Sequence, residues 1–233
     1  MKGSKKEKAI IVLGPPGSGK GTQAELLAER FDLFHFETSI ILERNFKNAT
    51  KNKYVEVEGK KYYLQEEKKR RDSGKWNSPP LVVFWVNEEI KKIALRGKGI
   101  ILSGSPKTIY EAEREIPLLR KLFGRKNVTV FLLKQKLETS VWRNQHRKIC
   151  ELMRHPILFN KESSKLKNCP IDGSKLIRRE DSNPIVVKSK YSEFTKTIKP
   201  IIAYCKKQDI DVREVNGEQA VVDVFKDILK RIK

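Results

Sequence analysis

Short hydrophobic runs alternate with longer segments of helical periodicity along most of the chain. Three of the runs are continuously apolar, as strands buried on both faces of a parallel sheet are. Apolar residues recur at intervals of three and four within 109–123 and 221–232, which predicts amphipathic helices there. Strands alternating with helices favour an α/β fold whose parallel sheet is covered on both faces. The candidate strands are 9–13, 33–36, 100–102, 128–133 and 211–215.

The length and the apolar content favour a folded protein without a membrane span. A chain of 233 residues allows one domain with an insert, or two small domains. Its longest apolar run, 81–86, is far shorter than the roughly 20 residues that cross a bilayer. The run 9–13 behind the basic N-terminus is too short for a signal peptide core. Three cysteines make no disulfide framework. These features exclude membrane, secreted and fibrous classes and predict a cytoplasmic protein.

The charge of the chain predicts an anionic partner. Fifty Lys and Arg against 29 Asp and Glu leave a formal net charge of +21. A basic surface that only keeps the protein soluble is the simplest explanation, and nucleic acid or nucleotide phosphate are the other two. The basic residues concentrate in two segments without clean periodicity, 44–75 with eleven Lys or Arg and 143–190 with twelve. These segments predict two excursions from a better-packed core.

A glycine-rich loop lies between the first predicted strand and a predicted helix over 21–31. Residues 14–20 fit the pattern G-x-x-x-x-G-K, in the strand–loop–helix context that a phosphate-binding loop requires. Glycines let successive backbone N–H groups turn inward around phosphate oxygens, and the helix directs its positive end to the same place. Lys20 would add a mobile charge for the β- and γ-phosphates. The hydroxyl comes one position later than in the generic pattern, at Thr22.

Several motifs resemble the adenylate kinase and wider nucleoside monophosphate kinase family, in the same order along the chain. The segment 19–23 reads Gly-Lys-Gly-Thr-Gln, as in that family. Thr38 is similar to the threonine of the family's Ser-Thr-Gly-Asp segment, although 37–40 reads Glu-Thr-Ser-Ile here. The segment 102–108 resembles Leu-Asp-Gly-Phe-Pro-Arg-Thr, with Ser103 in place of the aspartate that helps hold water around magnesium. Further similarities lie at 72–82, Arg143 and Arg147, 179–181 with Lys190, and 215–217.

The resemblance implies a P-loop fold with a five-stranded parallel sheet and helices on both faces, in one domain spanning 1–233. Two mobile parts would emerge from its core, a monophosphate-binding insert over 38–80 and a lid over 148–183. They coincide with the two basic excursions, and closing them over the phosphates would exclude water. Within the insert, 54–62 predicts a small hairpin. The core would comprise 1–37, 81–147 and 184–233.

The activity that the resemblance implies is reversible transfer of the γ-phosphoryl group from Mg-ATP to a nucleoside monophosphate, with AMP the first choice. Positioning and charge neutralisation carry such a reaction without a covalent intermediate. The residues expected to surround the transferring group are Lys20, Arg143, Arg147 and Arg179, with Asp181 ordering the lid or lying on the surface. The residues expected to bind ATP are Gly14, Gly17, Ser18, Gly19, Lys20, Gly21, Thr22, Arg143, Arg147 and Gln219.

The expected acceptor site departs from the family pattern in several places. The family has an arginine two positions after Ile41, where this chain has Glu43 followed by Arg44. One residue turns about 100° around a helix, so Arg44 could replace that arginine only by bending back. Lys107 and Lys190 replace arginines and lose the bidentate grip on phosphate. The residues expected to bind the monophosphate are Thr38, Arg44, Lys75, Trp76, Asn77, Gly104, Lys107, Glu111, Arg179 and Lys190.

Two of these residues favour different acceptor bases. Thr38 matches a threonine that contacts adenine, whereas Glu111 occupies the place of a glutamine that pairs with adenine in adenylate kinases. An ionised carboxylate only accepts hydrogen bonds, which suits the N1–H and N2–H₂ donors of guanine. In the alternative, Glu111 only caps the helix that begins near Thr108 and points to solvent. AMP is therefore the first expectation and GMP the second.

The lid carries a candidate zinc site. Some family lids hold zinc through two Cys-x-x-Cys pairs, and here 150–153 reads Cys-Glu-Leu-Met and 169–172 reads Cys-Pro-Ile-Asp. A tetrahedral site could use Cys150, His155, Cys169 and Asp172. Methionine is a poor zinc ligand, which favours the alternative of a metal-free lid held by hydrogen bonds and apolar contacts.

Two other functions stay open at this stage. One is a kinase that acts on GMP, CMP or UMP. The other is a nucleic-acid-binding regulator with the same fold and weakened transfer, which the net charge of +21 and the altered acceptor arginines would suit. The resemblance implies a monomer that needs neither nucleic acid nor a membrane as partner.

Overall fold

The structure is a computed structural model that describes residues 7–153, 156–178 and 182–232. In chain order its strands and helices are β1 (Ala9–Leu13), α1 (Lys20–Phe31), β2 (Leu33–Glu37), α2 (Thr38–Phe46), β3 (Tyr54–Val57), β4 (Lys60–Tyr63), α3 (Leu64–Asp72), α4 (Pro79–Leu95), β5 (Gly99–Ser103), α5 (Ile109–Phe123), β6 (Val128–Lys134), α6 (Leu137–His146), β7 (Lys148–Cys150), β8 (Pro156–Ile157), β9 (Leu176–Ile177), α7 (Pro184–Lys207), β10 (Val212–Asn216) and α8 (Val221–Arg231).

A five-stranded parallel sheet forms the centre of the fold, in the order β10-β6-β1-β5-β2. Two of its three inner strands, β1 and β5, are buried along their whole length. This burial explains why they read as unbroken apolar runs in the sequence. All five strands coincide with runs predicted from the sequence, and the expected P-loop fold is confirmed.

Helices cover both faces of the sheet and build a separate core on each. On one face, α1 and α8 pack through Ala24, Leu27 and Ile228 against Ile10 and Val12 of β1. The larger core on the other face is formed mainly by α4, α5 and α7. Its buried side chains include Val86, Ile90, Ile116, Leu119 and Ile201.

The segment between β2 and α4 contains two short helices and the predicted hairpin. Strands β3 and β4 are antiparallel and pair Tyr54 with Tyr63. Glu58 and Gly59 form the two-residue turn with φ angles of 52° and 76°, as a type I′ turn requires. Tyr62 is buried in the larger core, so the hairpin is packed onto the protein. The hairpin expected within 54–62 is therefore confirmed.

The segment between α6 and α7 contains a small antiparallel sheet in the order β8-β7-β9. Ile149 and Cys150 of its central strand are buried. Across the described ranges, no helix combines the length and the apolarity needed to cross a membrane. The three cysteines are not joined by disulfides.

Candidate active site

The glycine-rich loop connects the buried end of β1 to the first residue of α1. Gly17 and Gly19 have φ angles of 74° and 88°, which side-chain-bearing residues rarely adopt. A Cβ atom on Gly17 would lie 2.5 Å from Nδ2 of Asn144 on α6. Only glycine fits this position, which is why the loop can run close beneath α6. The N-terminus of α1, with its positive dipole end, then faces the space above the loop.

Lys20 is the first residue of α1, and its Nζ donates a 2.8 Å hydrogen bond to the carbonyl oxygen of Pro15. The contact holds the ammonium group over the loop, within the cavity whose wall also includes Thr22. This cavity of about 340 Å³ lies at the carboxyl ends of β1 and β5 and reaches α3 and α7. Ligand sites of open α/β sheets lie at this edge.

Most of the residues predicted to bind nucleotide lie on the wall of this one cavity. Its lining joins the glycine-rich loop at one end to Trp76 and Lys107 at the other, and Met153 and Leu158 of the lid segment also face it. The predicted residues on the wall are Gly14, Gly17, Gly19, Lys20, Gly21, Thr22, Lys75, Trp76, Asn77, Gly104, Lys107, Glu111, Arg147 and Lys190.

Several predicted residues lie elsewhere. The Arg143 guanidinium donates to the carbonyl oxygens of Gly217 at 2.7 Å and Glu218 at 3.2 Å, so it holds the final loop and does not line the cavity. Gln219 is off the wall too, and its Nε2 donates to Asn216 and Asp227. Ser18 and Thr38 are buried behind the wall. The predictions for Arg179, Asp181 and His155 fall outside the described residues.

Arg44 does not bend back toward the acceptor site as the sequence prediction required. Its guanidinium pairs with Glu89 of α4 at 3.0 Å, and its side chain is 62% exposed. Glu43 instead faces Arg71 of α3, whose Nη2 lies 2.6 Å from Oε1 of Glu43. Arg71 lines the cavity and is only 23% exposed. The prediction for Arg44 is therefore corrected, and Arg71 is a cavity cation that the sequence reasoning missed.

Lys107, beside Trp76 on the cavity wall, has a strongly perturbed pKa. Burial lowers the pKa of its ammonium group to about 8, against the smaller opposing effect of the Glu111 charge. Its Nζ lies 4.9 Å from the centre of the Trp76 ring, in cation–π contact. The indole Nε1 of Trp76 and the Oγ1 of Thr38 are buried and have no hydrogen-bond partner within the described structure. Unsatisfied buried donors beside a cavity are typical of a ligand site.

Glu111 does not point to solvent. It is buried, and its Oε2 accepts hydrogen bonds from Lys107 N at 2.6 Å and Ser105 Oγ at 3.3 Å. The helix does begin at the expected place, because Thr108 caps it by accepting from Glu111 N. The start of the helix is thus as expected. The Thr108 side chain is its cap, and the expectation of a Glu111 side chain that points to solvent is corrected. A buried glutamate on this wall can contact a ligand.

A second buried carboxyl group lies directly behind Glu111. Ser105 Oγ is 2.7 Å and 2.8 Å from the two carboxyl oxygens of Glu115. Burial, followed by the charge of Glu111, raises the pKa of Glu115 well above its ordinary value, and burial also raises the pKa of Glu111. One serine hydroxyl has a single proton to donate, so this group of side chains favours retention of a carboxyl proton to a higher pH than an exposed glutamate would show.

The predicted zinc ligands that lie in the described residues come together in the lid segment. The ligand atoms of Cys150, Cys169 and Asp172 lie within 4.8 Å of one another, with Cys150 Sγ 3.0 Å from Asp172 Oδ2. Hydrogen bonds from Ser174 and then Cys150 lower the pKa of Asp172 well below its ordinary value. Two thiols and a carboxylate in this arrangement are a suitable donor set for three of the four positions of a zinc site.

Known proteins resemble the chain over nearly its whole length. Residues 13–148 match the AAA domain family. An adenylate kinase of Clostridium botulinum, strain Langeland, is 31% identical over 221 residues, which cover 94% of this chain and 95% of that protein. An adenylate kinase of Methanothrix thermoacetophila is 30% identical over 95% of this chain and 96% of that protein. One of Caldicellulosiruptor bescii is 31% identical, with coverages of 96% and 98%. The phosphate-binding loop, the parallel sheet and these relatives together show that the chain belongs to the adenylate kinase family.

Proposed function

We propose that this protein transfers the γ-phosphoryl group of Mg-ATP reversibly to AMP, in the reaction ATP + AMP = 2 ADP. The observation that carries the proposal is the single cavity that joins the glycine-rich loop to the cationic, aromatic end at Trp76 and Lys107. Two nucleotides that meet end to end in such a cavity need no covalent intermediate between them. The chemistry agrees with the adenylate kinase names of the relatives. Formation of ADP from ATP and AMP in a coupled assay tests it.

At the donor end, the loop amides and Lys20 would hold the β- and γ-phosphates. Magnesium bound with ATP would neutralise phosphate charge, and the Thr22 hydroxyl on the wall is a suitable oxygen ligand for it. Arg147 is on the wall, and its Nη2 lies 3.4 Å from Oδ1 of Asn144, which sits against the loop. Arg143 would act indirectly, by fixing the final loop where the adenine of ATP is expected.

At the acceptor end, Arg71, Lys107 and Lys190 would bind the monophosphate. All three lie on the cavity wall, and the charges of Arg71 and Lys190 both act on Lys107. Arg71 would take the role of the missing family arginine, because its pairing partner Glu43 occupies that arginine's position in the chain. An anionic phosphate entering this group of cations would relieve their mutual repulsion.

The acceptor affinity should depend on pH through Lys107. The ammonium group is charged below its pKa of about 8, so the dianionic phosphate binds well at pH 7 and loses this partner as the pH rises. Between pH 7 and pH 9 the KM for AMP is expected to rise about tenfold, since about nine-tenths of the lysine is then neutral. Lys107→Arg should abolish this rise and lower the KM at pH 8, because arginine keeps its charge and grips phosphate bidentately.

Initial rates at varied AMP and pH measure this effect, with Lys98→Arg as a control. Lys98 pairs with Asp32 on the surface and is absent from the cavity wall. A wild-type KM that is flat to pH 9, or an unchanged KM in Lys107→Arg, would show that Lys107 does not bind the phosphate.

A lid zinc ion is the second part of the proposal. Cys150, Cys169 and Asp172 would hold the ion, and the fourth ligand would come from solvent or from another residue of the lid segment. The ion would cross-link the lid and take no part in the reaction. Cys169→Ser is expected to remove the zinc and to lower the temperature at which the lid unfolds. Elemental analysis and thermal melts of protein purified without chelator check this. Cys205→Ser, at a cysteine of α7 buried in the larger core, is the control for zinc content. Purified wild-type protein without zinc would contradict the proposal.

The cellular setting is proposed on the same basis. A kinase without a membrane-spanning helix in its described residues, acting on freely diffusing nucleotides, would work in the cytoplasm as a monomer. Nucleic acid could bind the +21 surface without being needed for transfer. Initial rates with AMP, GMP, CMP and UMP, each with and without added RNA, separate these alternatives: we expect AMP to be preferred and RNA to have no effect.

A further inference from the structure

Compared with the family pattern, the carboxylate at the donor end of the cavity lies on β2 instead of β5. Ser103 at the end of β5 stands where the family segment has aspartate, and Glu37 at the end of β2 stands where the family segment has serine. In the structure β2 and β5 are neighbours, and Glu37 pairs with Ser103 in the strand register. The serine and the acidic residue are therefore exchanged between two positions that lie side by side.

Both positions point to the face of the sheet on which α1 lies. Side chains alternate along a strand, so Glu37 shares its face with Leu33, and Ser103 shares its face with Ile101. Leu33 and Ile101 belong to the core formed with α1. His35, on the same side of β2, confirms the direction, because its Nε2 lies 2.9 Å from Ser103 Oγ. The exchange thus keeps the carboxylate on the face that carries the glycine-rich loop.

The distance also suits the exchange. Neighbouring strands lie about 4.8 Å apart, so a carboxylate on β2 starts one strand spacing away from one on β5. Glutamate has one methylene group more than aspartate, so its carboxylate can reach across part of that strand spacing. Glu37 is half-buried and lines the same cavity as Lys20, Thr22 and Ser103. Its Oε1 accepts a hydrogen bond from Ser39 Oγ, which orients the carboxylate.

Ser103 itself cannot take the part of the missing aspartate. Its hydroxyl is uncharged, 3% exposed and engaged with His35. Burial lowers the pKa of His35 more than the charge of Glu37 raises it, so His35 supplies no charge at neutral pH either. Glu37 is then the carboxylate nearest to Ser103 in the strand register.

Resting on the proposed function, we propose that Glu37 is the residue that orders the water shell of the magnesium ion bound with ATP. Magnesium keeps several of its waters and is held by one or two carboxylates beside the phosphates. Groups that orient such ligands typically change metal affinity 10- to 100-fold when removed. Glu37 is accordingly a positioning residue of the donor site. The family pattern places the corresponding carboxylate on the neighbouring strand, at the position of Ser103.

The test measures metal binding directly. Mn²⁺ is titrated by electron paramagnetic resonance into protein saturated with a non-hydrolysable ATP analogue, and binding of the analogue without metal is measured in parallel. Glu37→Gln, which keeps the size but not the charge, should weaken Mn²⁺ binding at least about tenfold and leave metal-free analogue binding unchanged. Glu37→Asp should retain most of the affinity. The exchange variant Glu37→Ser with Ser103→Asp should recover it, and Glu29→Gln on the exposed side of α1 should match the wild type.

The charge of Glu37 also raises the pKa of Lys107, so a role in binding the monophosphate alone is the competing explanation. In that case Glu37→Gln would change the KM for AMP and leave Mn²⁺ affinity as in the wild type, which would overturn the inference. An exchange variant that binds Mn²⁺ as weakly as Glu37→Gln would also overturn it. Because binding is measured without turnover, a wild-type protein that binds Mn²⁺ through Glu37 but makes no ADP would disprove the proposed function alone.

Discussion

Replacing Lys20 with alanine is expected to lower the rate of phosphoryl transfer at least about 100-fold and to leave the fold intact. Loss of one preorganised donor at a developing charge typically costs 10²- to 10³-fold in turnover. Lys20 carries its charge at the first residue of α1, held by Pro15 O, so no other side chain of the loop can supply it. The substitution removes no buried apolar contact, because Lys20 lies on the cavity wall.

Steady-state rates of ADP formation measure this effect, and circular dichroism checks the fold. Lys98→Ala is the matched control, since Lys98 is an exposed lysine paired with Asp32. Near-normal turnover in Lys20→Ala would contradict the phosphate-loop assignment, and the adenylate kinase names of the relatives would not outweigh that result.

Glu111→Gln is expected to raise the AMP-to-GMP ratio of kcat/KM about 10- to 100-fold at high pH. An ionised Glu111 offers only acceptors, which clash with the N1 lone pair of adenine and suit the two donors of guanine. A protonated Glu111 offers one donor and one acceptor, as glutamine does, and pairs with adenine. Hydrogen bonds to charged groups are worth about 1.5–3 kcal/mol, which sets the size of the ratio.

The buried carboxyl pair makes this selectivity depend on pH in wild-type protein. Burial raises the pKa of Glu111, and Glu115 lies behind it with its pKa raised well above the ordinary value. The acid form therefore persists to higher pH than in a surface glutamate, which favours AMP, and the wild-type ratio should fall as the pH rises through the pKa of Glu111. The hydrogen bond from Lys107 N and the charge of Lys107 oppose this shift, with smaller contributions from hydrogen bonds of Ser105 and Thr108.

Rates with AMP and GMP between pH 6 and pH 9, measured for the wild type and for Glu111→Gln, check this pH dependence. Glu113→Gln on the same helix is the control, because Glu113 is exposed and absent from the cavity wall. A ratio that the substitution leaves unchanged at every pH would show that Glu111 does not read the base and only holds Lys107 N and the start of α5.

Local patterns in the sequence predicted the parts of the fold that depend on local chemistry. The five buried strands, the glycine-rich loop before α1 and the hairpin after α2 each follow from short runs whose residue types dictate their conformation. The start of α5 near Thr108 was also predicted, whereas its cap, the Thr108 hydroxyl, was not.

Relations between distant segments could not be predicted in this way. Arg71 reaches Glu43 across 28 positions, and Arg44 turns to α4 because Glu89 lies there. The exchange of Glu37 and Ser103 is invisible until the register of β2 and β5 places them side by side. Such contacts are set by packing, and a single sequence carries no record of them.

The stoichiometry of nucleotide conversion is the direct test of phosphoryl transfer to AMP. Purified protein is incubated with ATP, AMP and Mg²⁺, and all three adenine nucleotides are separated and quantified over time. We expect two ADP formed for each AMP consumed and loss of the reaction when a chelator removes magnesium. Orthophosphate should not exceed the background measured with Lys20→Ala. Unchanged AMP, or ADP accompanied by an equal amount of orthophosphate, would contradict it.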